Sequence, residues 1–327
     1  MSATQRIAVL GAGAWGTAIA TMLAAAGTPT VLWGRNAEAL DEISSHHVNS
    51  RYLPGIPLQK TLEVEVDLSR ALAHSNLILL VTPAQTVSEL TKMLAPHATP
   101  GATIVCCAKG IDRNSGELPA EIILKHLPEN PPAALSGPSF AVDVARGLPT
   151  AVTVAAGDLD SANRLAQQLS TSTFRCYASD DLKGVELGGA LKNVLALAVG
   201  VTRGMKLGAS AEAALIARGF AEMSRLATAL GARPATLTGL SGLGDLVLTC
   251  SNVQSRNFAY GIALAGGAPL DGLPLAEGVF TARIAARLAR ENDVSAPVTE
   301  TVAAVLDGDM SAMDAVTALL SRPLKSE

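Results

Sequence analysis

An α/β fold is predicted: a mostly parallel sheet domain over residues 1–180, followed by an all-helical domain over 181–327. Three observations predict it. Short apolar runs alternate with helical patterns through the first half, the order that right-handed crossovers build into a parallel sheet. From about residue 180 the strand-like runs stop, and long Ala/Leu stretches of helical period take over. The composition is 49% hydrophobic but only 3% aromatic, so the core must be mostly Ala, Leu and Val, which suits helices and buried parallel strands.

The first element, residues 6–10, is branched and apolar like a short buried strand. Gly11, Gly13 and Gly16 follow at the spacing G-x-G-x-x-G, and residues 14–26 read as an Ala-rich helix closed by Gly27. In a dinucleotide-binding turn the first glycine permits the tight turn, the second lets the backbone approach a pyrophosphate, and the third lets helix and strand pack closely. The phosphates would sit over free N–H groups at the positive end of the helix. This context, strand before and helix after, reads as the opening of a Rossmann-type domain. Residues 7–27 carry no charge and also have the look of a signal peptide or membrane span. Three glycines penalise a continuous helix there, and no basic segment precedes it.

The second strand, 29–33, ends in Gly34-Arg35, where such a fold usually places an acid for the adenosine ribose 2′-hydroxyl. No carboxylate stands there. Arg35 would suit a 2′-phosphate and so accommodates NADP(H); the alternative is an ordinary surface arginine. A helix at 37–47 leads into a loop, Asn49-Ser-Arg51-Tyr52-Leu-Pro54-Gly55. Strands then fall at 62–66, 77–81, 102–106, 133–136, 150–155 and 173–177, with helices at 67–74, 84–95, 116–126 and 158–169 among them. Ligands gather at the carboxyl ends of such strands, here the stretches 81–84, 107–110 and 136–140. Helices at 181–203, 209–230, 256–265, 278–291, 297–306 and 311–320 complete the chain.

A net charge of −4 without a long basic run argues against nucleic acid or an anionic membrane as the main partner. Beyond the first segment no charge-free run approaches the ~20 residues of a membrane helix, so no membrane span is expected. The four cysteines lack metal-ligand spacing and read as reduced thiols, which points to a cytoplasmic protein. No histidine sits in a recognisable motif, and no metal site is expected.

Charges in apolar surroundings are the candidates for chemistry. Lys192 is the only charge in Leu187–Val199, so it either snorkels to water or is held at a polar site. Held there, burial and a neighbouring cation would bring its pKa towards neutrality and suit it to proton transfer. Lys109 closes an apolar strand before a glycine and is either a strand-end charge or a ligand contact. Asp245, amid Gly242, Gly244 and hydrophobes, could anchor a lysine or a substrate hydroxyl, or cap a helix. Ser255 and Arg256 open an apolar helix as either a phosphate trap or a simple capped surface helix. Glu277 is a first-turn acid matched to a helix dipole, or a ligand to cofactor ribose or amide.

Taken together the motifs resemble the bacterial-type NAD(P)-dependent glycerol-3-phosphate dehydrogenases over nearly the full chain. They are Gly11-x-Gly13-x-Trp15-Gly16-Thr17-Ala18, Tyr52-Leu-Pro-Gly55, Lys109-Gly110, Ser136-Gly-Pro-Ser-Phe-Ala141, Gly147-Leu-Pro-Thr-Ala-Val, Ala190-Leu-Lys192-Asn193, Gly242-Leu-Gly-Asp245-Leu, Ser255-Arg256-Asn257, Glu277-Gly278 and Arg322-x-x-Lys325-x-Glu327. The resemblance implies NAD or NADP as cofactor and dihydroxyacetone phosphate and sn-glycerol 3-phosphate as substrates, in support of glycerophospholipid synthesis. It implies that Lys192 is the proton donor and acceptor, Lys109 a second active-site lysine, and Asp245 and Thr249 residues at the reacting end of the substrate. Ser255, Arg256 and Asn257 match substrate-phosphate and cofactor contacts, and Gly137 and Ser139 fall on further substrate positions. Gly11, Gly13, Ala14, Trp15, Gly16, Arg35, Tyr52, Ala141, Leu275 and Glu277 fall on cofactor positions.

The chain departs from that pattern in three places. Ala14 stands where Ser is common, Phe258-Ala259 replace the usual arginines, and Ala209-Ser210-Ala211-Glu212 differ from the common Asn-Ala-Lys. Two other functions share part of this pattern. A β-hydroxyacid dehydrogenase or ketopantoate-type reductase would share the glycine turn and a lysine, but the Ser255-Arg256-Asn257 trap argues against it. A non-enzymatic NAD(P)H-sensing module would not need two placed lysines and an acid. The Ala/Leu-rich helical half could form a homodimer.

Overall fold

A computed structural model describes residues 6–266, 270 and 272–321; the Arg322-x-x-Lys325-x-Glu327 motif lies outside them. The order is β1 (Arg6–Leu10), α1 (Ala14–Ala25), β2 (Thr30–Trp33), α2 (Ala37–His46), β3 (Glu63–Glu65), α3 (Leu68–Leu72), β4 (Ser75–Leu80), α4 (Val87–Leu94), β5 (Thr103–Cys106), α5 (Pro119–His126), β6 (Pro132–Ser136), α6 (Ala141–Ala145), β7 (Thr150–Ala156), α7 (Leu159–Leu169) and β8 (Phe174–Ser179). Helices α8 (Leu182–Gly204), α9 (Ala209–Ala229), α10 (Pro234–Leu237), α11 (Asp245–Ser251), α12 (Arg256–Ala265), α13 (Glu277–Glu291), α14 (Pro297–Asp307) and α15 (Ala312–Leu320) follow. The chain divides into two compact units: Met1–Lys109 with Glu117–Glu186, and Gly110–Gly116 with Leu187–Glu327.

The first unit is built on one sheet of order β3-β2-β1-β4-β5-β6-β7-β8, parallel throughout except for the β6–β7 pair. Strand order reverses between β1 and β4: the chain runs outward through β2 and β3, then returns to the other side of β1. Such a switch point leaves a crevice at the strands' carboxyl ends, where ligands bind. Strand β1 is buried on both faces, which explains its unbroken apolar run. Ile7 and Val9 pack with Ile19 and Leu23 of α1 on one face, while Ala8 and Leu10 pack with Leu72, Val87 and Leu94 on the other.

In the second unit α8 is the central helix. It is long and apolar enough to cross a membrane, but 94% of its apolar window is buried within the protein, so its hydrophobicity is that of a core helix. It crosses α12 at backbone contact. A Cβ on Gly200 would lie 2.2 Å from the Phe258 carbonyl oxygen, and one on Gly261 would lie 2.2 Å from that of Leu197.

Two buried carboxyls satisfy helix N-termini from a distance. Glu186 Oε1 accepts the Ala120 N–H of α5 at 2.8 Å. The two oxygens of Glu222 accept the Val298 and Thr299 N–H groups of α14 at 2.8 Å each. Burial pushes both carboxyls up, Glu186 to about 8. The free cysteines Cys106, Cys107, Cys176 and Cys250 are all buried. Loss of hydration raises every one of these thiols, the last three to about 12.

The strands and long helices fall where the sequence puts them, with ends shifted by a few residues. Helix α5 begins at Pro119 rather than 116, because a proline suits the first helical position and the Glu121 carboxylate accepts the Leu118 N–H at 2.8 Å. Elements α6 and α10 were not anticipated, and α11 only as a helix that Asp245 could cap, all three being too short to show a helical period. A wide turn of π-helix over Leu240–Gly244 leads into α11.

Gly261→Ala should lower stability by about 1–3 kcal/mol, since no rotamer relieves a Cβ pressed on backbone, and urea denaturation will measure it. Glu186 keeps its proton to about pH 8 when folded but only to about 4.5, its ordinary value, when unfolded. Its contribution is therefore full below the lower value and lost as pH rises through the upper. Burial is the main cause; Glu121 adds to it, while the Ala120 N–H and Lys183 oppose it. Glu186→Gln should flatten the fall in unfolding free energy across that window, read from urea titrations at successive pH values.

Candidate functional site

In the first unit the glycine turn follows β1 at the switch point. Gly11 has φ +128°, and a Cβ there would lie 2.4 Å from the Val81 carbonyl oxygen at the end of β4. A Cβ on Gly16 would lie 1.8 Å from the Gly11 carbonyl oxygen. These two glycines are fixed by the protein's own packing. Gly13 is different: nothing lies within 4 Å of where its Cβ would be, and no side chain caps the start of α1. Backbone N–H groups at a helix start beside open space fit the pyrophosphate of a dinucleotide. Ala14 and Trp15, both half-buried, form the first turn of α1 and pack on the core cluster below it.

Two further candidates approach the same turn through their neighbours. Gly34 leaves room for Ala12, since a Cβ on it would lie 2.9 Å from the Ala12 side chain. Arg35 comes next and is exposed at the carboxyl end of β2. Tyr52 is exposed, with the Arg51 guanidinium over its ring at 5.2 Å, and its N–H donates to Asn49 Oδ1. Asn49, which the sequence presents only as a loop residue, is fully buried and reaches the Ala12 carbonyl.

Lys109, beyond β5, meets the residues that follow β6. Its Nζ donates to the Gly137 carbonyl oxygen at 2.9 Å, and Ser139 Oγ donates to the same oxygen at 3.0 Å. Gly137 (φ +149°) lies against β7, where a Cβ would be 2.9 Å from Val152 Cα. Ala141 begins α6, which packs against α1.

In the second unit Lys192 does not snorkel. It is 5% exposed, on the central helix α8, and its Nζ donates to Asp245 Oδ1 at 2.9 Å and to Thr249 Oγ1 at 2.5 Å. Asp245, 2% exposed, also accepts from Thr249 at 3.3 Å. Asp245 and Thr249 are one helical turn apart on α11 and so share a face. The capping role open to Asp245 is not the one it takes: it lies inside the first turn of α11, and its carboxylate faces the lysine. Of the roles open to Asp245, the structure thus shows the anchoring of a lysine. The preceding turn delivers Asp245, with Gly242 so close to Leu237 that a Cβ would lie 2.0 Å from its carbonyl oxygen.

A second chain of contacts joins α8, α12 and α13. Asn257 Nδ2 donates to Asn193 Oδ1, and Asn257 Oδ1 accepts the Gly278 N–H, both at 2.9 Å. The Asn257 amide thus orders three helices and sets the buried Glu277 at the start of α13. Ser255 caps α12 through the Phe258 N–H at 3.3 Å. Arg256 is exposed beside that helix start, and Leu275 is exposed ahead of α13. The departures have structural partners. Phe258 is buried with the Arg203 guanidinium 5.5 Å above its ring, and Glu212 binds that guanidinium through both oxygens at 2.5 and 2.6 Å.

Residues 6–162 match the family described as NAD-dependent glycerol-3-phosphate dehydrogenase N-terminus, and residues 181–317 match its C-terminus counterpart. The glycerol-3-phosphate dehydrogenase [NAD(P)+] of Chelativorans sp. (strain BNC1) is 54% identical over 327 residues, all of both chains. That of Brucella canis (strain ATCC 23365 / NCTC 10854 / RM-666) is 53% identical over 328 residues, covering 99% of each. A crystal structure of glycerol-3-phosphate dehydrogenase from Coxiella burnetii superposes with a TM-score of 0.92 at 39% identity, covering 98% of this chain and 99% of that one. The chain belongs to the NAD-dependent glycerol-3-phosphate dehydrogenase family.

Proposed function

We propose that this enzyme interconverts dihydroxyacetone phosphate and sn-glycerol 3-phosphate with NAD(P)H as reductant, and that Lys192 moves the proton. Family membership supports the reaction, and the buried Lys192–Asp245–Thr249 cluster carries the assignment of the proton donor. When bound, the dinucleotide supplies the hydride. Its pyrophosphate is assigned to the glycine turn and the start of α1, and Arg35 to a 2′-phosphate when NADPH is used. Trp15, Tyr52, Ala141, Leu275 and Glu277 are assigned to the rest of the cofactor.

In reduction, the Lys192 ammonium donates a proton to the carbonyl oxygen as that oxygen becomes an alkoxide; in oxidation the neutral amine takes it back. Asp245 and Thr249 orient the group, and the Asp245 carboxylate stabilises its charged form. Lys109, fixed by the Gly137 carbonyl, adds positive charge for the developing oxyanion. Arg256 and the start of α12 at Ser255 and Asn257 take the phosphate, with Gly137 and Ser139 as further substrate contacts. Phosphate binding remote from the carbonyl orients the reacting carbon. A hydroxyacid or ketopantoate offers no phosphate to such a site. On this reading residues 1–180 bind the dinucleotide and 181–327 the substrate. A cytoplasmic location, a role in supplying glycerophospholipid synthesis and a homodimer belong to the same proposal.

A spectrophotometric assay with dihydroxyacetone phosphate, run separately with NADH and NADPH, tests the reaction and the cofactor preference. Lys192→Ala should retain dinucleotide binding and lose about 10²- to 10⁴-fold in kcat; full turnover in a folded variant would remove the assigned role. Arg256→Ala should raise KM for dihydroxyacetone phosphate about tenfold or more, the order expected for a lost charge-assisted bond, with a smaller change in kcat. An unchanged KM would place the phosphate elsewhere.

A further inference from the structure

The segment between α2 and β3 lies along α1 and is bonded to it at three successive levels. Asn49 Nδ2 donates to Thr17 Oγ1 at 2.9 Å, the Gln59 N–H donates to Thr21 Oγ1 at 2.7 Å, and Thr61 Oγ1 donates to the Ala24 carbonyl at 3.5 Å. Leu53, Ile56 and Leu58 of this segment are buried in the core cluster that contains α1. Two of the three levels only fasten the segment to the helix. The first does more, because Asn49 Nδ2 also donates to the Ala12 carbonyl at 3.2 Å, between Gly11 and Gly13. The same amide's oxygen accepts the Tyr52 N–H at 3.2 Å, and Asn49 is fully buried.

A free Ala12 peptide could rotate, and with it the N–H of Gly13 at the start of α1. Asn49 ties this peptide, the Thr17 hydroxyl in the second turn of α1 and the Tyr52 backbone to one planar amide, so the three hold one geometry. We propose that Asn49 is the positioning residue of the dinucleotide turn: it fixes the Ala12–Gly13 peptide and the Tyr52 loop in the arrangement that receives the pyrophosphate and adenosine half of NAD(P)H. The inference rests on the assignment of the dinucleotide to this turn. Asn49 acts through the turn, so it governs cofactor affinity and leaves the proton transfer alone.

The test is equilibrium titration of the full-length enzyme and its variants with NADH and NADPH, together with steady-state kinetics at saturating cofactor. Asn49→Ala, which removes all three side-chain bonds, should raise Kd and KM for the dinucleotide about tenfold, with kcat and the KM for dihydroxyacetone phosphate within about twofold. Thr17→Val, which breaks one of those bonds, should raise Kd about threefold, and Thr17→Ser should restore it. Thr21→Val is the control: it loosens the same segment further along α1, so it should lower Tm and leave Kd within about twofold. An unchanged Kd in folded Asn49→Ala overturns the inference, as does a Thr21→Val variant that weakens the dinucleotide equally. If Asn49→Ala does not fold, an unchanged Kd in Thr17→Val overturns it. Gly13→Val separates the two levels: it should abolish dinucleotide binding. If it binds normally, the assignment of the turn falls and this inference with it, whereas loss of binding there alongside normal binding in Asn49→Ala removes the inference alone.

Discussion

The ammonium of Lys192 sits within a long, buried apolar helix, and its presence there constrains everything packed around it. An isolated charge in such a place is strongly disfavoured, and an ion pair offsets the penalty only with close geometry and further hydrogen bonds. Asp245 at 2.9 Å and Thr249 provide both. Removing one member of such a pair costs about 3–5 kcal/mol in typical cases, because the other charge stays buried. Helix α11 is therefore not free to slide or rotate against α8. The wide turn before it, with Gly242 against Leu237, sets its register so that the acid and the hydroxyl present themselves together.

Missing side chains do comparable work in both units. Gly11 and Gly16 let strand, turn and helix meet at backbone distance in the first unit, and Gly200 and Gly261 let α8 and α12 do so in the second. A helix crossing this close fixes where the start of α12 lies relative to Lys192, and the Asn193–Asn257–Gly278 bonds carry the same constraint on to α13. The chain's shortage of aromatics and abundance of Ala and Gly are thus part of the site's construction: small side chains bring backbone dipoles and short polar side chains within reach of each other.

Most of the fold was legible because it rests on local signals. Strand β1 and the three glycines announce themselves by type and spacing, and helices longer than about ten residues show their period. The site was legible only in part. Lys192 stood out as a charge among hydrophobes, but both of its readings were open, since its partners lie more than fifty residues away on a helix too short to show its period. Asp245 among glycines has the local features of a cap, and only the long-range pairing decides otherwise. Asn49 gave no signal, because an asparagine in a loop is common and its reach to Ala12 is a tertiary fact. Glu186 and Glu222 escaped for the same reason: each caps a helix that is remote in sequence.

The four cysteines have a consequence of their own. Every thiol is sealed in the packed interior, and for each the thiolate is the disfavoured form at neutral pH. The thiolate is the species that reacts with peroxide and alkylating reagents. The cysteines of the native enzyme are thus shielded from such reagents by the packing, and the speed at which iodoacetamide labels them becomes a clock for how often the interior opens.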